Sequence, residues 1–249
     1  WTGEYVDPNE LHPTPTPVYN PDGIDGKAFE FSADPPTFIR VINSNDGSFD
    51  FYPHGLTASC WIKSTQPQTE NYTYPILYGN PSDASGDATT RGWCIQNKTD
   101  SETFGGHVFD VGATIYSPAL TANEWHMLTL THVGGTIAFY ADGQLVGSYT
   151  DTTPSFTLMD SLLLMGALPN GVRSYNGLLD DVRIYNYPLD PYQVATLYTN
   201  LVPGATICAE PVANDLNDDC IVNLADFAIF AASWLDCHEV PTCLTVNPQ

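Results

Sequence analysis

From Gly26 to Tyr185 the chain is a succession of short runs in which apolar and polar positions alternate, each closed by Gly, Pro, Asn or Asp. A period of two sends successive side chains to opposite faces, so the pattern predicts β-strands with one face buried. In LTASCWI, Leu56, Ala58, Cys60 and Ile62 share one face, and Thr57, Ser59 and Trp61 the other. AFEF, TFIRVI, GWCIQ, HVFDVGATIY and WHMLTLTHV extend the set. TIAFYADGQLVGSY reads as a hairpin, because Asp142-Gly143 supplies the two positive-φ residues of a tight turn. The last run, GLLDDVRIY, sets Asp180 in line with Val182 and Ile184, and Leu179, Asp181, Arg183 and Tyr185 on the other face. A carboxylate among core residues is costly unless it is paired, hydrogen-bonded or metal-bound.

Beyond residue 186 the period changes. Asp190 as N-cap and Pro191 at the first helical position predict a short helix from Pro191 to Tyr198. Asn200 to Asn214 is aperiodic and reads as a linker. Leu224, Phe227, Ala231, Trp234 and Leu235 then form an apolar stripe at helical spacing, with Asn223 and Asp226 as a capping box. At the other end HPTPTP favours an extended path, so residues 1–20 read as an arm. It lies along the domain edge or docks through Trp1 and Tyr5 on a neighbouring subunit. The expected organisation is an arm 1–20, a β-domain 21–199, a linker 200–214 and a small segment 215–249.

Composition narrows the partners. With 29 acidic and 7 basic residues the chain carries a net charge of −22, which disfavours nucleic acid and anionic membrane surfaces and makes calcium the natural counter-ion. No apolar run approaches the roughly 20 residues of a membrane span. The chain begins at Trp1, from which removal of an upstream signal segment is expected. Six cysteines without zinc-type spacing fit disulfides in an oxidising compartment, hence a secreted or cell-surface protein. Pairing within modules joins Cys60 to Cys94. In the tail, a helix from Leu224 to Leu235 rises about 18 Å and separates Cys220 from Cys237. Cys208–Cys220 and Cys237–Cys243 are therefore preferred.

The strongest chemical pattern is DLNDDCIVNLADF. Asp215, Asn217, Asp219, the Ile221 carbonyl, Asn223 and Asp226 fall at positions 1, 3, 5, 7, 9 and 12 of a calcium-loop pattern, the alternation needed to wrap oxygen ligands around one hard cation. Cys220 stands where Gly is usual, and position 12 is Asp rather than Glu.

These stretches resemble known families. GKAFEF, LTASCWIKS, NEWHMLTLTHVGGTIAFYADGQLVG and GLLDDVRIY occur in the order of the laminin-G-like (concanavalin A-like) jelly roll, over roughly residues 21–199. The resemblance implies an all-β, two-sheet antiparallel jelly-roll sandwich, in a fold that hosts lectins, adhesion modules, assembly subunits and glycanases. The tail loop resembles one half of a dockerin, in a variant similar to repeats on exported planctomycete proteins, and implies Ca2+ as cofactor.

For Asp180 two readings stand: a second metal site completed by Asp22 or Asp25, as in calcium-stabilised sandwiches of this kind, or a carboxylate bonded to backbone N–H groups. Tyr72, Tyr74, Tyr78, Trp93, Tyr116 and Tyr175, in or beside loops, are candidates for stacking on sugar rings. The E-x-D-x-x-E string of β-glucan-cleaving sandwiches is absent, as are G-x-S-x-G and H-E-x-x-H. The expectation is a non-catalytic calcium-binding recognition protein with carbohydrate as ligand. The alternative is a structural subunit of a matrix, surface layer or filament, with neighbouring subunits or further copies as partners, and a glycanase ranks third.

Overall fold

The computed structural model describes residues 17–42, 54–65, 72–79, 92–98, 102–151, 162–168, 171–210 and 212–234. In chain order the strands are β1 (Val18–Asn20), β2 (Ala28–Phe31), β3 (Ile39–Ile42), β4 (Leu56–Ser64), β5 (Ile76–Gly79), β6 (Gly92–Asn97), β7 (Phe104–Val108), β8 (Ala113–Tyr116), β9 (His126–Val133), β10 (Thr136–Ala141), β11 (Gln144–Thr150), β12 (Leu162–Met165) and β13 (Gly177–Tyr185). The helices are α1 (Pro191–Leu201) and α2 (Leu224–Ser233).

The strands form two antiparallel sheets. One runs β1-β2-β13-β4-β9-β10-β11 and the other β3-β12-β5-β6-β7-β8. Their inner faces meet in one core. Leu128, Leu130 and Phe139 are fully buried there, while Val182 and Ile184 are only partly buried against it. The run HVFDVGATIY is not one strand, because the turn of 3-10 helix Phe109–Val111 separates β7 from β8.

β4 corrects the expectation of a single buried face. Leu56, Ala58, Cys60 and Ile62 enter the sandwich, but Thr57, Ser59 and Trp61 are buried as well. Their cover comes from the segment after β13. The Thr57 hydroxyl donates to the Tyr187 carbonyl (2.9 Å) and accepts from Leu189 N (2.8 Å). α1 lays Val194 and Tyr198 over Trp61 and Met127. The helix forms as its sequence predicts: Asp190 accepts from Gln193 N, Gln193 reaches back to Asp190 N, and Pro191 opens the first turn. Full burial of Val194 contributes on the order of 1.5–3 kcal/mol.

The inferred faces of β13 are also corrected. A bulge between Asp180 and Arg183 shifts the register against β4, and Asp181 takes a left-handed conformation (φ 44°). The extra residue resets the alternation. Leu179, Val182 and Ile184 pack on the core while Asp180, opposite Trp61, points away from it. Asp180 is not an acid embedded in an apolar row.

The chain divides into two compact units, Trp1–Ala209 and Glu210–Gln249. In the second, α2 has the expected cap, Asn223 accepting from Ala225 N and Asp226 from Asn223 N. Asp226 is its one buried residue; Leu224, Phe227 and Trp234 are exposed. Among the described residues no helix is long and apolar enough to cross a membrane. Trp1, Tyr5, Leu235, Cys237 and Cys243 lie outside the described residues.

Candidate functional site

Cys60 and Cys94 are free thiols, which overturns the pairing expected between them. Cys60 shares the inner face of β4 with Ala58 and Ile62, whereas Cys94 lies on the outer face of β6 among Tyr74, Leu77 and Leu164. A sheet therefore separates them. Burial pushes both thiols well above their ordinary range, so neither supplies a thiolate near neutral pH. Cys208 and Cys220, the pair preferred from the sequence, are both disulfide-bonded.

The residues proposed around Asp180 do meet, but as a hydrogen-bonded corner. Asp180 Oδ1 accepts from Asp181 N (2.8 Å) and Oδ2 from Asp25 N (3.1 Å). Asp25 thus brings its backbone. Asp22 accepts from Lys63 Nζ. A Cβ on Gly23 would lie 2.7 Å from Asp180 Oδ2, so only glycine lets the turn approach this closely. The second of the two readings, a carboxylate on backbone donors, describes this arrangement.

The tail loop is wound around its own carboxylates. Asp215 accepts from Asp219 N (3.2 Å) and Cys220 N (2.7 Å), Asn217 Oδ1 from Asp219 N (3.2 Å), and Asp219 Oδ1 from Ile221 N (2.8 Å). Asp226 closes the neck. Its oxygens accept from Leu216 N (2.7 Å) and Asn217 N (3.4 Å) at the entrance and Asn223 N (2.7 Å) at the exit. These backbone bonds, that from Asn223 foremost, hold the Asp226 carboxyl below its ordinary range. The sequence pattern marked Asp226 as a ligand and as the N3 member of the capping box, and missed the bonds from Leu216 N and Asn217 N that extend the cap into a clamp. Among the described residues no group of three His, Cys, Asp or Glu side chains stands at metal-holding separation. Three carboxylates, two amides and the Ile221 carbonyl are the donor chemistry a hard cation takes, and every bonded carboxylate oxygen except Asp226 Oδ1, which accepts twice, keeps a further lone pair. The donor set fits calcium.

The six aromatic candidates divide. Tyr78, Trp93 and Tyr175 belong to the sandwich core and Tyr74 to a second buried cluster with Leu77, Cys94, Leu164 and Leu168, so for these four the sugar-stacking reading is corrected. Tyr72, in the loop before β5, is exposed, and Tyr116 is half-buried on the outer face of the second sheet. Tyr116 lies across β7 at Gly105, where a Cβ would come within 2.7 Å of its Cδ1. Its hydroxyl accepts from Gln96 Nε2 (3.1 Å) on β6. Lys98 Nζ stands 5.6 Å from the Tyr116 ring centre, and the Arg173 guanidinium 5.9 Å from that of Tyr72 and 5.7 Å from that of Tyr74. On the same face His107 donates from Nδ1 to the Ala113 carbonyl (2.7 Å), and burial lowers its pKa, so it is neutral at pH 7.

His126 and His132 both lie on β9. His126 Nδ1 faces Asp142 Oδ2 at 2.7 Å and Nε2 the Thr121 carbonyl at 3.1 Å. No sequence argument singled out this His126–Asp142 pair; the hairpin turn that places Asp142 beside the start of β9 was its available signal.

Two packed antiparallel sheets with a short closing helix define a concanavalin A-like sandwich. The chain belongs to the laminin-G-like family (Laminin_G_3) of the concanavalin A-like lectin/glucanases superfamily, whose model matches residues 40–195. Among solved structures it is similar to the binding domain of Paraclostridial mosquitocidal protein 1, with 18% identity over 74% of this chain and 45% of that one and a TM-score of 0.57. It is also similar to the binding domain of botulinum neurotoxin DC in complex with SialylT (14%, 74% and 45%, TM-score 0.56). A third is domain 4 of an extracellular GH43 arabinanase from Geobacillus stearothermophilus, in complex with arabinotriose (20%, 74% and 82%, TM-score 0.51). The chain thus spans less than half the length of the toxin domains it matches. No curated protein matches the chain.

Proposed function

We propose that the protein is a secreted, non-catalytic carbohydrate-recognition module whose sugar platform is Tyr116 with Tyr72, and whose tail loop takes up one calcium ion. The observation that carries the reading is the Tyr116 ring, laid across Gly105 and fixed by Gln96. A ring held in place on a sheet face presents an apolar plane to a pyranose or furanose ring at little further cost in side-chain entropy. The superfamily includes lectins, and two of the similar domains were solved with saccharide-named ligands. The non-catalytic part rests on the strands of this face, which among the described residues carry no outward carboxylate pair, where hydrolysis needs an acid and a nucleophile or base. The disulfide-bonded Cys208 and Cys220 support an oxidising, extracellular setting.

The test is an array of plant and microbial polysaccharides probed with the full chain and with Tyr116→Ala. Binding that falls at least about tenfold in the variant, the loss of one stacked ring, supports the platform. Unchanged binding removes it, and reducing-sugar release by the wild type removes the non-catalytic assignment.

The exposed apolar residues of α2, Leu224, Phe227 and Trp234, favour a second reading as an assembling subunit, since faces of this kind are normally covered. Light scattering of the full chain with and without calcium separates a monomeric binder from an assembly.

A further inference from the structure

In the loop between β8 and β9, residues 117–125, Thr121, Asn123 and Glu124 are exposed. A stretch that buries so little apolar surface is held shut by polar ties. Leu120 N donates to the Glu102 carbonyl (2.9 Å) and Asn123 N to the Ser64 carbonyl (2.7 Å). Between these anchors the Thr121 carbonyl faces His126 Nε2 at 3.1 Å, while the other ring nitrogen meets Asp142 Oδ2. The imidazole is only 13% exposed.

The two acceptors differ in how easily they yield. Asp142 is fixed: its N–H donates to the Met127 carbonyl (2.8 Å), its Oδ1 accepts from Met127 N (2.9 Å), and the turn rests against α1, where a Cβ on Gly143 would lie 3.0 Å from that of Tyr198. A carboxylate can only accept, so the neutral ring keeps its proton on Nδ1; the other tautomer would set a lone pair against an anion at 2.7 Å. Deprotonation therefore falls on Nε2. It leaves a nitrogen lone pair facing the Thr121 carbonyl oxygen, two acceptors with no proton between them. Among the described residues the charges acting on the ring are acids: Asp142 on the β10–β11 turn, Glu124 on the loop and Glu102 before β7. From α1, Tyr198 feels Asp142, and burial keeps its phenol neutral.

We infer that His126 is a pH-operated latch on this loop: the imidazolium ties Thr121 to the start of β9, and the neutral ring lets it go while keeping its bond to Asp142. The loop opens around Thr121 and the sheet beneath it stays closed.

The experiment is amide hydrogen exchange of the full chain at about pH 5.5 and 8.5, each rate divided by its intrinsic value at that pH. The Leu120 and Asn123 amides are expected to lose protection at least about tenfold at the higher pH, with those of Leu128 and Leu130 on β9 changing far less. His126→Gln removes the step and Glu102→Gln keeps it. Asp142→Asn is the sharper variant. Asn tolerates the left-handed backbone at this position (φ 51°) but offers an amide N–H to Nδ1, which moves the neutral ring's proton to Nε2 and keeps the loop latched at both pH values. If Asp142→Asn melts well below wild type, nitrogen NMR of the wild-type imidazole carries the tautomer argument, with the proton expected on Nδ1 at the higher pH. Equal protection at the two pH values in the wild type, a step that survives His126→Gln or vanishes in Glu102→Gln, or a neutral His126 protonated on Nε2 overturns the latch.

Discussion

Trp61 and Tyr198 stack with ring centres 5.4 Å apart and planes 13° from parallel, joining the middle of β4 to the last turns of α1. The closing helix is therefore part of the sandwich, covering a strand that would otherwise expose an indole.

Tyr198→Ala removes the stacked ring and leaves Trp61 open to water. An aromatic pair contributes about 0.5–1.5 kcal/mol beyond burial, and the lost apolar area adds a similar amount. A loss of about 1–3 kcal/mol in urea denaturation is expected. A wild-type midpoint would mean that α1 is only draped on the sheet.

The bulge in β13 predicts an asymmetric response at Asp181. Its left-handed conformation is tolerated by Asp and Asn and costs a β-branched residue about 1–2 kcal/mol. Its carboxylate also accepts both bonds from Arg183 Nε, at 2.8 and 2.9 Å. Asp181→Val should lower the melting temperature clearly and Asp181→Asn much less. Equal melting of the two variants would remove the strain argument.

His126 has both ring nitrogens against acceptors, an arrangement only the protonated imidazole satisfies fully. Burial pushes its pKa down, but the hydrogen bond and charge of Asp142 outweigh this and raise it above the usual value. The folded pKa exceeds the unfolded one, so this stabilisation is fully present below about pH 6.5 and is lost as pH rises through the folded pKa. Melting curves between pH 5 and 8.5 should show that slope in the wild type and a flatter one in His126→Gln. Coincident slopes would assign the pH dependence elsewhere.

Parity along the strands foretold much of this. Leu128, Leu130 and Phe139 fall inside, and the Asp142-Gly143 turn forms with φ of 51° and 80°. The same parity also separates the two buried cysteines. Cys94 alternates with Trp93 and Ile95, which already sends it outward while Cys60 goes inward with Ile62, and it makes Trp93 a core residue rather than a sugar platform. What parity could not supply was the bulge, since one added residue inverts every assignment beyond it and Asp181 resembles any other strand acid in sequence. Burial of Tyr74 and Tyr175 depends on how loops fold back, and the seating of Tyr116 on Gly105 depends on cross-strand register. Neither is written locally.

For the tail, calorimetric titration of calcium into the full chain is expected to show one site that Asp215→Ala abolishes, because Asp215 is the first ligand of the proposed site and also holds the N–H groups of Asp219 and Cys220. The depressed Asp226 pKa adds a sign: its stabilisation of the loop is present above the ordinary carboxyl range and is lost as pH falls through its folded value. Unchanged stoichiometry in Asp215→Ala would exclude this loop as the site.

The last prediction separates the seating of Tyr116 from its mere presence. Gly105→Ala keeps every functional group but places a Cβ 2.7 Å from Tyr116 Cδ1 and 2.8 Å from the Ile115 carbonyl, so the ring must lift and the local strand shift. Overpacking of this kind costs about 1–3 kcal/mol, and affinities are therefore compared at a temperature where wild type and variant are both folded. If glycan binding depends on a ring laid across the sheet, Gly105→Ala should weaken it nearly as much as Tyr116→Ala, with the Gln96–Tyr116 bond broken in both. Wild-type affinity in a folded Gly105→Ala protein would show that the ring reaches its ligand without the seat that glycine provides.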